Sequence, residues 1–366
     1  MNAFYIAGIA IALLIEFLLI AKKNKSASDR ILTIWMLLVL VHLSLFYLYF
    51  TGDVYNFPFL LGIEHPLPLL HGVFLYFYVS HVTEQLPGKR WIMLLHLLPA
   101  TLMYAYLVPF FLLPADQKIE VYGNRGAGYE LFIALRSYAV ACSGILYVVW
   151  SAVLLKRHRE NIEDRFSDLE RINLRWLQIL TFGLGAIWCL VLFVGSDAIV
   201  FSGVVVFVFL IAFFGVKQAE IFTRTPLAGV GSEPRGKYQK SGLTEEASGE
   251  LHHELRRLMT EDALYKRSDL SIDDLAAKLG VHANYLSQVI NQKEKMHFYD
   301  FVNTYRIEEF KRLISIQKNQ QYTLLSLAYD CGFSSKTSFN RFFKKATGLT
   351  PSQYSTTLSG GQIRPS

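Results

Sequence analysis

The sequence predicts an all-α protein in which a seven-helix transmembrane bundle precedes a smaller, all-helical C-terminal domain. Three observations predict this class. Long apolar runs fill residues 1–216, the composition becomes ordinary and polar beyond them, and a helix–glycine–helix pattern occurs twice near the C-terminus. The average of 52% hydrophobic residues conceals this partition. A chain of 366 residues has room for two or three domains.

The apolar runs have about the 20 residues that a helix needs to cross a bilayer. A soluble core does not account for so many long runs. A cleaved signal peptide does not fit the first run either, because that run contains Glu16 and no basic stretch precedes it. We predict transmembrane spans near residues 3–21, 30–50, 66–83, 91–113, 130–155, 174–195 and 198–216.

Lysine and arginine concentrate in alternate loops, which predicts the orientation of the spans. The opposite loops hold only Lys118 and Arg125 among several acidic residues. We expect the basic loops to face the cytoplasm, with the N-terminus outside and the C-terminus inside. The basic residues are Lys22, Lys23, Lys25, Arg30, Lys89, Arg90, Lys156, Arg157, Arg159, Arg165, Arg171, Arg175, Lys217 and Arg224.

Residues 217–243 predict a flexible linker between a membrane domain, residues 1–216, and a C-terminal domain, residues 244–366. The linker contains repeated proline and glycine, which disfavour regular structure. Thr244 then provides an N-cap for a helix that continues to Met259.

The stretch from Leu324 to Tyr354 predicts two short helices joined by a tight turn. Gly332 can adopt the left-handed conformation of such a turn, and Ser334 or Ser335 can cap the second helix. One face of that helix is aromatic and requires a core. The opposite face suits base edges and phosphates in a major groove, since it carries Lys336, Thr337, Asn340, Arg341 and Lys344.

The run from Gly332 to Lys345, followed by Gly348, Thr350-Pro351 and Tyr354, resembles the second helix-turn-helix motif of the AraC/XylS family of bacterial transcription regulators. The resemblance extends from about Leu258 to Tyr354. It implies an all-helical DNA-binding domain with two helix-turn-helix motifs, and double-stranded DNA as a partner. A basic amphipathic helix on some other soluble domain is the alternative interpretation.

A weaker upstream copy fits the two motifs that the resemblance implies. Leu275, Ala276 and Gly280 precede Leu327, Ala328 and Gly332 by a constant offset, and Ser271 is a predicted N-cap. We place the first motif at about 271–291 and the second at about 323–345. The expected base-facing residues are Asn284, Ser287, Gln288, Lys336, Thr337, Asn340 and Arg341, and the expected phosphate contacts are Lys344 and Lys345.

A linker helix at about 298–314 separates the two motifs. The resemblance implies that it holds them so that each recognition helix enters a successive major-groove segment, about 34 Å apart. Its apolar stripe consists of Phe301, Val302, Tyr305, Phe310 and Leu313, and its expected solvent-exposed face of Arg306, Glu308, Glu309, Lys311 and Arg312.

Ionisable residues inside the spans are candidates for a signal site. His71 follows two prolines that disturb the start of its helix, and Arg136 lies inside the fifth span. Arg136 can bind a carboxylate or phosphate, or can extend to the outer headgroups. His71 and the other histidines can equally serve as hydrogen-bonding groups between helices.

These features favour a membrane-anchored transcription regulator in the bacterial cytoplasmic membrane. Its expected partners are double-stranded DNA, the lipid bilayer, an unknown ligand and a second copy of the chain. One alternative is a receptor or transporter whose cytoplasmic domain binds a protein. Another is a membrane enzyme with a histidine metal site, although no H-E-x-x-H spacing occurs. We expect no catalytic residue, no cofactor and no metal. Cys142, Cys189 and Cys331 form no disulfide or metal pattern.

Overall fold

The computed structural model describes residues 2–87, 89, 91–169, 175–217, 244–316 and 321–360. Helices account for 78% of it and no β-strand occurs in those ranges, which confirms the all-α class. The chain divides into two compact units. The first consists of residues 1–157 and 174–232, and the second of residues 158–173 and 233–366. The predicted linker, residues 217–243, lies outside the described residues except for Lys217.

The helices of the first unit follow one another with short connections, and two 3-10 turns (Asp53–Asn56 and Pro58–Leu60) follow the second helix. The helices are α1 (Asn2–Ala21), α2 (Ala27–Thr51), α3 (Pro68–Val82), α4 (Trp91–Leu95), α5 (Leu98–Tyr106), α6 (Val108–Phe111), α7 (Ala115–Gly123), α8 (Glu130–Glu163), α9 (Arg175–Phe193) and α10 (Asp197–Lys217).

Five of these helices, α1, α2, α8, α9 and α10, are long and apolar enough to cross a membrane. Between 22% and 39% of the residues in their most apolar stretches are buried within the protein. The outward sides of these helices remain apolar, as Phe17 at 65% and Phe182 at 66% exposure show. Such surfaces require an apolar solvent or a partner, because water disfavours extended apolar patches.

Helix α1 packs closely against α10. A Cβ atom on Gly8 would lie 2.7 Å from Cγ2 of Val205, so glycine permits the approach. The hydroxyl of Tyr5 donates a hydrogen bond of 2.9 Å to the carbonyl oxygen of Ala198. Small residues and interhelical hydrogen bonds of this kind hold helices together where the surroundings are apolar.

The predicted third and fourth spans differ in form from the other five. Helix α3 has 15 residues. The run predicted as one span at 91–113 is divided into α4, α5 and α6, and α5 and α6 carry Pro99 and Pro109 at their second positions. Proline lacks the N–H that a continuous helix would need and favours a new helix start.

The second unit contains the last six residues of α8, the loop that follows them, and a series of helices around a 3-10 turn at Leu264–Lys266. These helices are α11 (Glu245–Thr260), α12 (Ile272–Leu279), α13 (Ala283–Lys293), α14 (Phe298–Ser315), α15 (Leu324–Asp330), α16 (Lys336–Thr347) and α17 (Pro351–Gly360).

The predicted helix caps and turns are confirmed. Thr244 caps α11, and Ser271 caps α12 with Asp274 completing a capping box. Gly280, with φ of +65°, separates α12 from α13, and Gly332, with φ of +95°, separates α15 from α16. Two helix pairs of similar construction therefore flank α14.

The expected solvent-exposed face of α14 is wrong at two positions, since Arg306 is 1% and Glu309 is 8% exposed. Phe301 packs in the core shared with α12 and α13, whereas Phe310 contacts Phe339 of α16. A helix covered by both pairs buries more than one stripe. Hydrogen bonds from Arg312 and from Lys266 lower the pKa of Glu309 to about 2, so its carboxylate is charged at neutral pH.

Gly332 is fixed by two constraints, which gives a test of this packing. An added Cβ would lie 2.4 Å from the carbonyl oxygen of Tyr265, and the positive φ adds strain. We expect Gly332→Ala to lower the free energy of unfolding of the second unit by about 3 kcal/mol or more. Gly280→Ala is the control, because its Cβ meets nothing within 4 Å and only backbone strain of about 1–2 kcal/mol remains. The unfolding free energy of each variant is measured in urea, with hydrogen exchange in α16 as the probe. Equal losses of unfolding free energy in the two variants would contradict the packing argument.

Candidate nucleic-acid interface

Helix α16 is fixed at both ends and along one side. Ser335 Oγ accepts a hydrogen bond of 3.1 Å from the N–H of Ser338 at its start, and Gly348 ends the helix with φ of +76°. Phe339, Phe342 and Phe343 are buried beneath it. These anchors leave the opposite face of α16 in a defined orientation.

The opposite face of α16 is open. The six residues of α16 that were predicted to contact bases or phosphates are all exposed: Lys336, Thr337, Asn340, Arg341, Lys344 and Lys345. They combine fixed positive charge with short hydrogen-bonding side chains. Such a surface can bind phosphates and read base edges.

Two residues at the start of α14 organise the cations of α16. Nη2 of Arg341 donates a hydrogen bond of 3.0 Å to the hydroxyl of Tyr299. Nζ of Lys345 lies 2.9 Å from a carboxylate oxygen of Asp300. The predicted phosphate contact of Lys345 therefore competes with an internal ion pair, whereas Arg341 is held by a neutral group. The sequence analysis did not identify Tyr299 or Asp300, because nothing local marks a contact across more than 40 positions.

The corresponding face of α13 is more enclosed. Asn284 and Gln288 are partly buried, and Ser287 is 6% exposed. Ser287 was expected to face outward toward DNA, but it is buried. Asn291, one turn further along α13, donates a hydrogen bond of 3.0 Å from Nδ2 to the carbonyl oxygen of Ser287. A base contact by Ser287 requires this region to rearrange.

Cys331, directly after α15, is fully buried. Burial raises the pKa of its thiol to about 12, so the thiolate is scarce at neutral pH. Cys331 is therefore a packing residue rather than a reactive group.

The two residues predicted as a signal site, His71 and Arg136, line one cavity of about 680 Å³ in the first unit. The cavity has mainly aromatic and aliphatic walls from α2, α3, α8, α9 and α10. Its acidic, basic and histidine lining residues are His42, Glu64, His65, His71, Arg125, Arg136 and Asp197.

Histidines connect these cavity groups in pairs. Nε2 of His71 lies 2.9 Å from Nδ1 of His42, and Nη1 of Arg136 lies 2.8 Å from Nδ1 of His65. Glu64 accepts a hydrogen bond from the hydroxyl of Tyr122. Nδ1 of His71 and Nε of Arg136 have no hydrogen-bond partner among the described residues. Among the residues that the structure describes, no group of three or more His, Cys, Asp or Glu side chains is placed to hold a metal ion.

Comparison with known proteins identifies the fold of the C-terminal part. A family model described as a helix-turn-helix domain matches residues 275–357, which run from within α12 through α13, α14, α15 and α16 into α17. The chain therefore carries a C-terminal helix-turn-helix domain of the AraC type. The first unit lies outside the matched residues.

Curated relatives resemble the same part of the chain. An uncharacterized HTH-type transcriptional regulator of Staphylococcus aureus (strain COL) is 35% identical over 91 residues, which is 25% of this chain and 12% of that protein. The uncharacterized HTH-type transcriptional regulator YtdP of Bacillus subtilis (strain 168) is 26% identical over 104 residues, or 28% of this chain and 12% of its own length. The chain thus matches about an eighth of the length of these relatives. No solved structure matches.

Proposed function

We propose that this protein is a membrane-anchored, one-component transcription regulator that binds specific double-stranded DNA through two helix-turn-helix motifs. The observation that carries the proposal is the exposed face of α16, with Arg341 and Lys336 beside Asn340, inside a matched helix-turn-helix domain. Arginine and lysine pair with guanine, and asparagine pairs with adenine. The names of the curated relatives are in keeping with this role.

In this proposal, the pairs α12–α13 and α15–α16 are the two motifs. Each places a glycine in the left-handed conformation between its helices, at Gly280 and Gly332. The second helices, α13 and α16, enter successive segments of the major groove, about one helical turn apart. Asn284, Ser287 and Gln288 then contact bases from α13. Lys336, Thr337, Asn340 and Arg341 do so from α16, with Lys344 and Lys345 on phosphates.

The proposal places seven spans in the bacterial cytoplasmic membrane, with the N-terminus outside and the C-terminus in the cytoplasm. The five long apolar helices and their apolar outer surfaces support insertion. The remaining two spans are α3 and the broken run from α4 to α6. Half-helices and irregular backbone are tolerated at membrane depth where protein or a cavity surrounds them. A membrane tether also raises the local concentration of a second copy, which favours a homodimer on DNA.

Arg341 provides the direct test of DNA reading. Arg341→Ala removes a forked cation from the reading face of α16, and we expect it to weaken specific binding by about 1–3 kcal/mol. The measurement is the affinity of the full-length protein, in lipid nanodiscs, for duplex DNA that the wild-type protein selects from a random pool.

Arg257→Ala on α11 is the matched control. Arg257 is an exposed arginine that pairs with Glu254 of its own helix, so its loss changes the net charge by the same amount. We expect near wild-type affinity. If both variants weaken DNA binding equally, the loss of net charge explains the effect. If Arg341→Ala binds DNA with wild-type affinity, the result favours a cytoplasmic domain that binds a protein instead.

We further propose that the cavity with His71 and Arg136 receives the signal. A mainly apolar cavity whose lining includes Arg125 and Arg136 fits a small amphipathic molecule that carries a carboxylate or phosphate. A ligand of this class shifts the regulator only if it binds two states of the protein with different affinity.

A matched set of amphiphiles tests this site. A lysophosphatidic acid and a free fatty acid should raise the melting temperature of the detergent-purified protein by a few degrees, because a ligand that binds only the folded state stabilises it. A monoacylglycerol with the same chain should not. Arg136→Gln should abolish the difference, whereas Arg159→Gln, on the same helix and paired with Glu163, should retain it. Equal stabilisation by the neutral lipid would contradict an anion site at Arg136.

A further inference from the structure

A short loop between two apolar helices of the chain is built into the helix-turn-helix domain. Residues 158–173 comprise the last six residues of α8 and part of the connection to α9, and they belong to the second unit. Residues 164–169, here called the strap, are well buried there, with Asp164 at 9%, Ser167 at 1% and Leu169 at 6% exposure. The strap begins at the residue that follows α8, so it is covalently continuous with that apolar helix.

Backbone hydrogen bonds attach the strap to the start of α12. Phe166 and Ser271 form an isolated antiparallel bridge. The N–H of Ser167 donates 3.2 Å to the carbonyl oxygen of Leu270, and the N–H of Ile272 donates 2.9 Å to that of Arg165. Ile272 is the first residue of α12, so the strap occupies a donor at this helix N-terminus. In a helix-turn-helix docked on DNA, the first helix crosses the phosphate backbone, and helix N-termini are favoured phosphate ligands.

Side chains fix the strap to α14. Arg306 donates from Nη1 to the carbonyl oxygen of Ser167 at 3.0 Å and from Nη2 to its hydroxyl at 3.1 Å. Asp164 Oδ1 lies 2.6 Å from Nδ1 of His297, the residue that precedes α14. The strap is therefore held by a buried arginine and by an ion pair when His297 is protonated.

The same carboxylate reaches the reading face of α13. Asn291 Nδ2 lies 3.4 Å from Asp164 Oδ1, and Asn291 stands seven residues after Asn284 and four after Ser287, on one side of the helix. Ser287 is buried beside it, whereas all six predicted contact residues of α16 are exposed. The two halves of one domain thus differ at the point where the strap docks.

We propose that the strap is an autoinhibitory element that competes with DNA for the first helix-turn-helix motif. The docked strap occupies the N-terminus of α12, where a DNA phosphate would bind. It also places a carboxylate at the face of α13, where a base would bind. A rearrangement of the membrane helices transmitted through α8 withdraws the strap and frees Ser287 and Asn291. This inference rests on the DNA-binding function proposed above.

Hydrogen exchange on the wild-type protein tests the competition without knowledge of the signal. Coupling is reciprocal, so if strap docking weakens DNA binding, DNA must weaken strap docking. The full-length protein in nanodiscs is compared with and without a saturating duplex that it selects from a random pool. We expect faster exchange in peptides covering 164–169 when DNA is bound. The Arg341→Ala variant, at a DNA concentration too low for it to bind the duplex, should show no change in exchange. Unchanged or slower exchange in DNA-bound wild-type protein would overturn the proposal.

Substitutions in the strap give the converse measurement. Asp164→Asn weakens the contacts with His297 and Asn291, and we expect it to tighten DNA binding about fivefold or more. Glu163→Gln is the matched control, since it removes the same charge one residue earlier, from a side chain that pairs with Arg159 of its own helix. Equal affinities of the two variants would overturn the strap proposal while leaving DNA binding intact. Failure of the wild-type protein to select any DNA would instead refute the proposed function, and the strap proposal with it.

Discussion

The buried guanidinium group of Arg306 is the interaction on which the second unit depends. Besides Ser167, it donates to the carbonyl oxygens of Tyr265 and Arg267, at 2.8 and 2.7 Å, and to Asn303 Oδ1 at 3.2 Å. Burial lowers its pKa to about 10, which still leaves it charged at neutral pH. A buried charge is tolerated when its donors are paired, and in the strap-docked state these groups pair them. The central helix α14, the turn before α12 and the loop after α8 are thereby joined at one point.

This arrangement makes the helix-turn-helix domain discontinuous in sequence. Its helices lie after residue 243, yet the residues that complete the shell of Arg306 come from a loop more than 130 positions earlier. An isolated C-terminal fragment would leave donors of Arg306 without their Ser167 acceptors, and unpaired buried donors cost free energy. The loop after α8 therefore completes the surroundings of Arg306 while the strap is docked, and it contacts the start of α12 directly.

Local signals in the sequence predicted most of the helical framework. Caps such as Ser271 and Ser335 and turns such as Gly332 depend on nearby backbone geometry, which residue type reveals. The burial of Arg306 was not predicted, because helical periodicity assigns a charged residue to solvent. Periodicity also contains no information on a distant loop that supplies hydrogen-bond acceptors. The enclosure of Ser287 was missed for the same reason. His71 and Arg136 line one cavity, which the sequence did not predict, because a cavity depends on how distant helices pack against one another.

The central claim is that two motifs in one tethered chain read successive turns of the same duplex. Hydroxyl-radical footprinting of the full-length protein in lipid nanodiscs, at saturation on its selected DNA, measures this directly. The account predicts two protected regions about 10 base pairs apart on one face of the duplex. A single protected region, or protection that is the same on unrelated sequences, would contradict it.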